Sequence, residues 1–321
     1  MSRDTWWAVA LSEQVKPQKT LAVVCGGEQI ALYRDAAGKV FALEDRCPHR
    51  RVLLSAGVVQ SGGLQCPYHG WTFDGASGKC TDIPNLRRDE NIPAKYEAVA
   101  YPAAELNGFI HVWLGQGVPG IGLPSEKYLP FGRQFYGSAV ASIGLHQYLD
   151  VMLDGPQCLL AFPGVQITDF YLGDPRRDGD HLVLDRGAVW RGKGAGPAFV
   201  RDHPLLVRTR VPLTGGAIIV QLLDAEEEAM VTMFIGATEN RRGTTSLSWR
   251  GFRHAHAAPD EPFKATLRRL AGRAPFDVFS QIDGAAIAAL AVAPSLERRP
   301  IVPGIPIHFA SPPCAGKRAM T

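Results

Sequence analysis

Four residues in two short segments have the types and the spacing of ligands to a metal cluster. The segments Cys47-Pro-His49 and Cys66-Pro-Tyr-His69 each combine one thiol with one imidazole, and sixteen residues separate them. Thiolate sulfur is a soft donor that holds iron and bridging sulfide, whereas imidazole leaves less negative charge on its iron and raises the reduction potential. The pattern therefore predicts a [2Fe-2S] cluster with Cys47, His49, Cys66 and His69 as its ligands.

Zinc is the alternative occupant, because two Cys and two His also complete a tetrahedral zinc site. Zinc fingers keep their two Cys together and their two His together, whereas each segment here mixes one of each. This spacing favours the iron-sulfur cluster. Pro48 and Pro67 fix φ and pre-shape the two segments, and Gly70 permits a tight backbone approach beside His69.

The spacing resembles the Rieske proteins. Quinol-oxidising respiratory members resemble C-T-H-x-G-C with C-P-C-H-G, in which the extra cysteines form a disulfide between the two loops. Val52 and Tyr68 stand at those positions here, so that bridge cannot form. The segments CPHR and CPYHGWTF look like the Rieske domain of the aromatic ring-hydroxylating and O- or N-demethylating oxygenases, a soluble and cytoplasmic family.

Composition agrees with a two-domain protein that remains in the cytoplasm. The chain has 321 residues, of which 46% are hydrophobic and 20% charged, enough for two cores, and its net charge of +3 is too small to indicate a nucleic-acid partner. The first residues show no signal peptide, and no membrane span is predicted. The cysteines outside the two segments are predicted to be free thiols in a reducing compartment, namely Cys25, Cys80, Cys158 and Cys314.

The elements that must position the ligands form an α+β chain of two domains. Residues 1–116 read as short strands separated by turns, with a hairpin signal at Asp35 to Lys39 and His111 inside the strand FIHVW. A Gly/Pro-rich linker begins at Gln116. In residues 117–321 we predict a helix over Leu145 to Leu153, an antiparallel sheet between Asp180 and Arg253, and two further helices, the last ending at Pro294. The resemblance implies an all-β Rieske domain followed by a helix-grip (START-like) domain.

The glycine-rich segment Arg191 to Pro197 is predicted to be a turn. It does not lie between a strand and a long helix, so it lacks the context of a dinucleotide site. The chain therefore lacks its own nicotinamide or flavin domain, and its electrons must come from a separate NAD(P)H-dependent reductase or a ferredoxin.

The resemblance also implies a mononuclear iron that activates O₂, held by two His and one carboxylate. The family pattern is D-x-x-H-x4-H after an N-W-x-L-x-x-[DE]-N helix, with an Asp of a C-terminal helix as the third ligand. On this sequence the leading Asp is Asp154, but the two His positions hold Gln157 and Phe162. The segment FSQIDGAAIAAL puts Asp283 in the carboxylate position. We therefore predict that Gln157, Phe162 and Asp283 form no functional site and that mononuclear Fe(II) is absent.

Other residues are candidates for rebuilding such a site. His146 and Asp150 are spaced i, i+4 on one helical face, Cys158 follows the lost His position, and His254 and His256 would share one side of a strand. Each also has an ordinary interpretation as a surface or core residue, because nothing completes a triad.

Asp154 is a candidate electron-transfer bridge. In the resembled enzymes this Asp connects a cluster His of one subunit to an iron-ligating His of its neighbour in a trimer. Here it would contact His69 or His49 of a neighbouring chain, and the alternative is local hydrogen bonding at the helix end.

Three functional hypotheses follow. In the first, the chain is an auxiliary electron-transfer or structural subunit of a hetero-oligomeric oxygenase, a trimer or hetero-hexamer whose sister α-subunit keeps the iron triad. In the second, it is a self-sufficient monooxygenase that uses rearranged iron ligands on a small aromatic or natural-product substrate. In the third, it is a non-oxygenase electron carrier or binding protein.

Overall fold

The computed structural model describes residues 3–87, 90–116, 119, 123, 134–160, 162, 165–190, 205–213, 215–240 and 243–254. The chain divides into two compact units, one containing Met1–Tyr128 with Thr238–Arg241 and the other containing Leu129–Ala237 with Arg242–Thr321. Several sequence predictions lie outside the described residues: most of the linker, the glycine-rich segment, the two C-terminal helices, His256, Asp283 and Cys314. The boundary at residue 116 stays a prediction.

Short antiparallel strands build the described part of the first unit. Their bounds are β1 Trp6–Leu11, β2 Thr20–Cys25, β3 Glu28–Arg34, β4 Val40–Glu44, β5 Val58–Gln60, β6 Gly63–Gln65, β7 Thr72–Phe73, β8 Cys80–Asp82, β9 Ala100–Tyr101, β10 Ala103–Leu106 and β11 Phe109–Trp113. They form three sheets, in the orders β1-β11-β10, β2-β3-β4-β9 and β5-β6-β7-β8. The predicted strand FIHVW is β11, and the ring of His111 in it is buried.

The β3–β4 hairpin shows how turn residues set the register. Its turn is closed by the Asp35 N–H, which donates to the Lys39 carbonyl at 3.0 Å, and by the Asp35 carboxylate, which accepts the Lys39 N–H at 2.8 Å. Gly38 supplies the left-handed conformation with φ 87°. The predicted hairpin is therefore confirmed, with Arg34 opposite Val40.

The chain leaves the second sheet after β4, forms the third sheet, and returns to the second sheet at β9. Strand β4 pairs with β9, with Ala42 opposite Tyr101 and Leu43 opposite Ala100. The Glu44 N–H donates to the Val99 carbonyl at 2.7 Å, so the chain leaves and rejoins this sheet at neighbouring positions. Everything from 45 to 99 is inserted between the two strands, including both predicted ligand segments.

In the second unit, the described strands form an antiparallel sheet of eight strands with one helix. Their bounds are β12 Phe135–Ala141, β13 Val165–Leu172, β14 Arg176–Asp178, β15 His181–Trp190, β16 Leu205–Pro212, β17 Ala217–Leu223, β18 Ala229–Glu239 and β19 Thr245–Arg253. The order is β12-β19-β18-β17-β16-β15-β13, and β14 pairs with β15. The predicted antiparallel sheet is therefore confirmed. Consecutive β-rich runs joined by short turns usually pair as neighbours.

The helix α1, Leu145–Asp154, is confirmed within one residue of its predicted end. Its apolar stripe packs against β15 and β16, and Tyr148 and Met152 are fully buried. Gly155 ends it through an N–H bond of 2.8 Å to the Val151 carbonyl, and Pro156 starts a 3-10 turn, Pro156–Cys158. No helix among the described residues is long and apolar enough to cross a bilayer.

A buried ion-pair network lies on the sheet of the second unit. Asp185 on β15 accepts two hydrogen bonds from Arg208 on β16, at 2.8 and 2.9 Å, and one from Arg176 on β14 at 3.0 Å. Burial raises the pKa of Asp185, but the two guanidinium groups more than offset this effect and hold it below its usual range. The network fixes three neighbouring strands in register.

The cysteine prediction is partly wrong. Cys25 and Cys80 are free thiols as predicted, but Cys158 is disulfide-bonded. Sequence alone does not show which thiols the fold brings within bonding distance.

Candidate metal centre

Two loops of the same construction carry the predicted ligands. We define loop 1 as residues 47–52, between β4 and β5, and loop 2 as residues 66–71, which connects β6 to β7. In each loop the cysteine N–H donates to the carbonyl five residues later, that of Val52 or Trp71, at 2.8 Å. In each, the residue four positions after the cysteine donates back to the cysteine carbonyl, at 2.8 Å from Arg51 and 3.1 Å from Gly70.

The structure brings the four predicted ligands together. The thiols of Cys47 and Cys66 are hydrogen-bonded to each other, and the two residues are only 2% and 3% exposed in one apolar cluster. The rings of His49 and His69 lie with centroids 4.7 Å apart, tilted by 52° from each other. Two thiols and two imidazoles thus converge from opposite loops.

The donor atoms fit a cluster. The Nδ1 atom of His49 is buried and has no hydrogen-bond partner in the structure, which is costly for a polar atom unless another group binds it. A metal ion bound through this nitrogen would satisfy it, and the two adjacent thiols supply the sulfur ligands that iron prefers. The orphaned nitrogen and the paired thiols therefore suit a [2Fe-2S] group held by both loops.

The pKa shifts of Cys47 and His49 also suit a bound metal. Burial, followed by the neighbouring Cys66, raises the pKa of the Cys47 thiol to about 11, although backbone N–H groups of loop 1 partly oppose this rise. Loss of solvent, then His69 and Arg50, lower the pKa of His49, which favours the neutral form of its ring. Neutral imidazole is the form that binds metal, and bound iron would reverse the thiol effect because its positive charge stabilises thiolate.

Aromatic rings lie against the two predicted histidine ligands. Trp71 stacks on His49 with centroids 4.5 Å apart and an interplanar angle of 3°, and Tyr96 meets Trp71 edge-on at 5.0 Å. Tyr68 lies against His69 at 3.8 Å. These contacts fix the planes of the two imidazoles. These contacts are not predicted from the sequence, although the Gly-Trp pair directly after His69 is a signal for them.

Two further contacts hold the loops in place. The buried carboxylate of Asp45 accepts the N–H of Ser55 at 2.6 Å and its hydroxyl at 2.7 Å, which ties together the two ends of loop 1. In loop 2, Gly70 has φ 71°, and a Cβ there would lie 2.9 Å from Cγ of Pro84. Glycine is therefore required at that point of the chain.

At the predicted mononuclear iron site, the residues at the two His positions offer poorer donor atoms than the two loops do. Gln157 lies in the 3-10 turn after α1, with its Oε1 buried and without a hydrogen-bond partner, and Phe162 is 4% exposed. An amide oxygen is a weak neutral ligand, and a phenyl ring has no donor atom. The residues at these two positions therefore do not fit a mononuclear iron. The backbone of Asp154 ends α1 beside them, and its bridging role stays a prediction.

Among the described residues, the other candidate ligands for a mononuclear iron do not form a group. His146 and Asp150 are exposed on α1. Partial loss of solvent raises the pKa of the Asp150 carboxyl, and the nearby imidazole of His146 lowers it by a smaller amount. The Nε2 atom of His254 lies 2.8 Å from the hydroxyl of Thr232. Within the described ranges, no three His, Cys, Asp or Glu residues are grouped closely enough to hold a metal ion.

Comparisons with known proteins agree with the loops. Residues 5–102 match the Rieske [2Fe-2S] domain family. The chain is 41% identical over 138 residues to the 4beta-methylsterol monooxygenase of Methylococcus capsulatus, covering 41% of this chain and 37% of that protein. It is 36% identical over 189 residues to Oxidoreductase NdmD of Pseudomonas putida, covering 58% of this chain and 32% of that protein. The match thus spans about a third of these relatives' length.

The chain is similar in fold to a solved oxygenase. The crystal structure of dicamba monooxygenase bound to dicamba superposes with a TM-score of 0.65 over 94% of this chain and 92% of that chain, at 21% identity. The predicted fold class is therefore confirmed. The chain contains a Rieske [2Fe-2S] domain over residues 5–102, followed by a curled antiparallel-sheet domain that is like a Rieske oxygenase catalytic domain in fold. The domain match favours the iron-sulfur cluster over zinc.

Proposed function

We propose that this chain is an auxiliary, electron-transferring subunit of a hetero-oligomeric Rieske oxygenase and is not catalytic alone. A sister α-subunit in a mixed trimer or hetero-hexamer would hold the oxygen-activating iron. The proposal rests on the contrast between the two sites. The ligand loops of the first unit are complete, whereas Gln157 and Phe162 stand where the family places its iron-ligating His residues.

The observation that carries this proposal is the chemistry of Phe162. Its ring is 4% exposed and has no lone pair to offer a metal. An amide at position 157 cannot compensate, because Fe(II) in this class is held by two imidazoles and a carboxylate. No reaction step at a mononuclear iron is assigned to this chain.

The residues of the first unit define what it would do. When bound, the [2Fe-2S] group supplies one-electron chemistry. Cys47 and Cys66 would hold one iron and His49 and His69 the other, while Trp71 keeps the plane of His49 fixed. Rieske oxygenases generally take electrons from a reductase or ferredoxin, and we assign that role to a separate partner. Asp154 would receive the electron across a subunit boundary.

Iron counting tests the proposal. The purified chain should contain two iron atoms, and Cys47→Ala should contain none, because loss of one ligand releases the cluster. A single iron retained by Cys47→Ala would reveal a second site and favour a self-sufficient monooxygenase with rearranged ligands such as His146, Asp150 or Asp283. Co-purification of the wild-type chain with a subunit that carries the intact triad would support the auxiliary role over that of a solitary electron carrier.

A further inference from the structure

The indole of Trp71 covers one face of a predicted cluster ligand. It lies parallel to the imidazole of His49, with ring centroids 4.5 Å apart and an angle of 3° between the two planes. The other ring contacts of the two imidazoles are more inclined, at 52° between His49 and His69 and at 35° between Tyr68 and His69. Parallel overlap, in which one ring covers most of the other, is therefore a property of the Trp71–His49 pair.

Contacts on its other sides hold Trp71 in this position. Its carbonyl accepts the N–H of Cys66 at 2.8 Å, and its side chain packs against the buried core of the first unit. The ring of Tyr96 meets the indole edge-on at 5.0 Å, and the Nζ atom of Lys95 lies 5.0 Å above the Tyr96 ring. The indole is thus fixed between Tyr96 and His49, and a smaller side chain would uncover that face of His49.

The second imidazole has less cover. His69 is exposed, and Tyr68, which lies against it, is itself 62% exposed. His49 and Trp71 are both partly buried. The two predicted histidine ligands therefore differ in their contact with solvent, and Trp71 is the side chain that covers the more protected one.

We propose that Trp71 is a positioning residue that lowers the reduction potential of the [2Fe-2S] group by covering His49. The inference rests on the proposed function in taking this group as a one-electron carrier, and it adds a residue that sets how readily the electron is accepted. Reduction adds one electron and neither forms nor breaks a bond. The thiolates of Cys47 and Cys66 balance the charge of the oxidised group, so the added electron leaves a net negative charge.

Two properties of the indole act on this added charge in the same direction. Imidazole leaves less negative charge on its iron than thiolate does, so the electron is accepted on the histidine side, and solvent exposure there affects the potential. Water at His49 would stabilise the added negative charge, and the indole excludes water from one face of that ring. The face of an aromatic ring is also the negative part of its quadrupole. Both effects disfavour the reduced group and lower its potential.

A redox titration of the purified holoprotein, followed by its visible absorption at one pH, tests the proposal. Trp71→Leu keeps an apolar side chain but no ring, and it should raise the equilibrium constant for reduction about threefold to tenfold. This corresponds to about 30 to 60 mV, because a tenfold change is about 59 mV for one electron. Trp71→Phe keeps a ring face over His49 and should raise the potential less. Phe41→Leu is the matched control, since Phe41 packs against the same core but stacks on Tyr33, at 5.3 Å, and not on a ligand.

Iron counting first establishes that each variant carries its cluster. A loaded Trp71→Leu protein with the wild-type potential or a lower one would overturn the proposal, as would an equal rise in Phe41→Leu, because lost core packing would then be the cause. If Trp71→Leu loses its cluster, Trp71→Phe decides, and an unchanged potential overturns the proposal. Loss of the cluster from both variants overturns it too, since the ring would then be needed to hold the group. Failure of the proposed function appears separately, as a third iron atom in the wild type, and leaves the comparison of potentials intact.

Discussion

Arg51 and Gly70 are structural equivalents in two loops of unlike sequence. Each lies four residues after a ligand cysteine, donates its N–H to that cysteine's carbonyl, and has a left-handed φ, 62° in loop 1 and 71° in loop 2. The difference lies in what surrounds them, since Pro84 covers Gly70 and the side chain of Arg51 is exposed. The same backbone is thus compatible with a side chain in one loop and not in the other.

Substitution of Arg51 should reveal the stability cost of its left-handed backbone. Arg51→Gly should have a free energy of unfolding about 1 kcal/mol higher than Arg51→Ala, because both variants lose the ion pair with Glu44 and only alanine keeps the strained Cβ. Urea unfolding of the two variants gives this difference. Gly70→Ala should lower the unfolding free energy of the wild type, since its Cβ would lie 2.9 Å from Pro84. An Arg51→Ala variant as stable as Arg51→Gly would show that the backbone there is relaxed.

Removal of a ligand thiol should abolish the cluster, whereas removal of its neighbour should not. Cys47 and Cys80 are buried in the same apolar cluster, but only Cys47 lies in a ligand loop. Cys47→Ala should lose the visible absorption and the reduced-state paramagnetic resonance signal, and it should destabilise the first unit because cluster binding is coupled to folding. Cys80→Ala should keep both signals. Loss of both signals in Cys80→Ala would mean that Cys80 is required to hold the cluster.

His111 should make the first unit sensitive to acid. Burial lowers its pKa from 6.5 to about 4, and the unfolded chain therefore takes up a proton first as the pH falls. The contribution to the unfolding free energy is complete above about pH 6.5 and decreases by about 3 kcal/mol as the pH falls to about 4. Urea unfolding of the wild type and of His111→Leu between these limits measures it. Parallel pH profiles for the two proteins would exclude His111 as the cause.

The buried carboxylate of Asp185 should stabilise the second unit more than its exposed partner does. Asp185→Asn should lower the unfolding free energy by about 2 kcal/mol, because the mostly buried guanidinium of Arg208 would lose its bidentate partner and keep only the exposed Glu227. Arg176 is 44% exposed, and Arg176→Ala should cost less than about 1 kcal/mol. Thermal or denaturant unfolding compares them. Similar losses in both variants would place the stabilisation in Arg176.

The features predictable from sequence were those encoded locally. Alternating side chains and turn residues such as Gly38 gave the strands and hairpins, and the apolar stripe of α1 gave its length. The ligands were visible because metal chemistry restricts residue type and spacing within each short segment. The antiparallel sheet of the second unit was predicted from its strand-like runs and turn residues, but its strand order was not, since β12 pairs with the distant β19.

Contacts between distant segments could not be predicted in this way. The bond from Ser55 to Asp45, the stacking of Trp71 on His49 and the disulfide of Cys158 each depend on which residues the folded chain brings together. The left-handed backbone of Arg51 was hidden for a related reason. Arginine does not signal that conformation, and the resemblance to loop 2 appears only when the hydrogen bonds are compared.

The insertion of residues 45–99 between paired strands has a consequence for how such a domain can be built. Because Glu44 and Val99 are joined by a hydrogen bond of 2.7 Å, the two ends of the insertion meet where an ordinary hairpin would turn. A β-hairpin of an unrelated protein offers the same pair of neighbouring ends. Close ends alone do not make the insertion independent, because its core includes Ala31, Tyr33 and Leu43 of β3 and β4, so the cluster-bearing segment depends on this sheet for its packing.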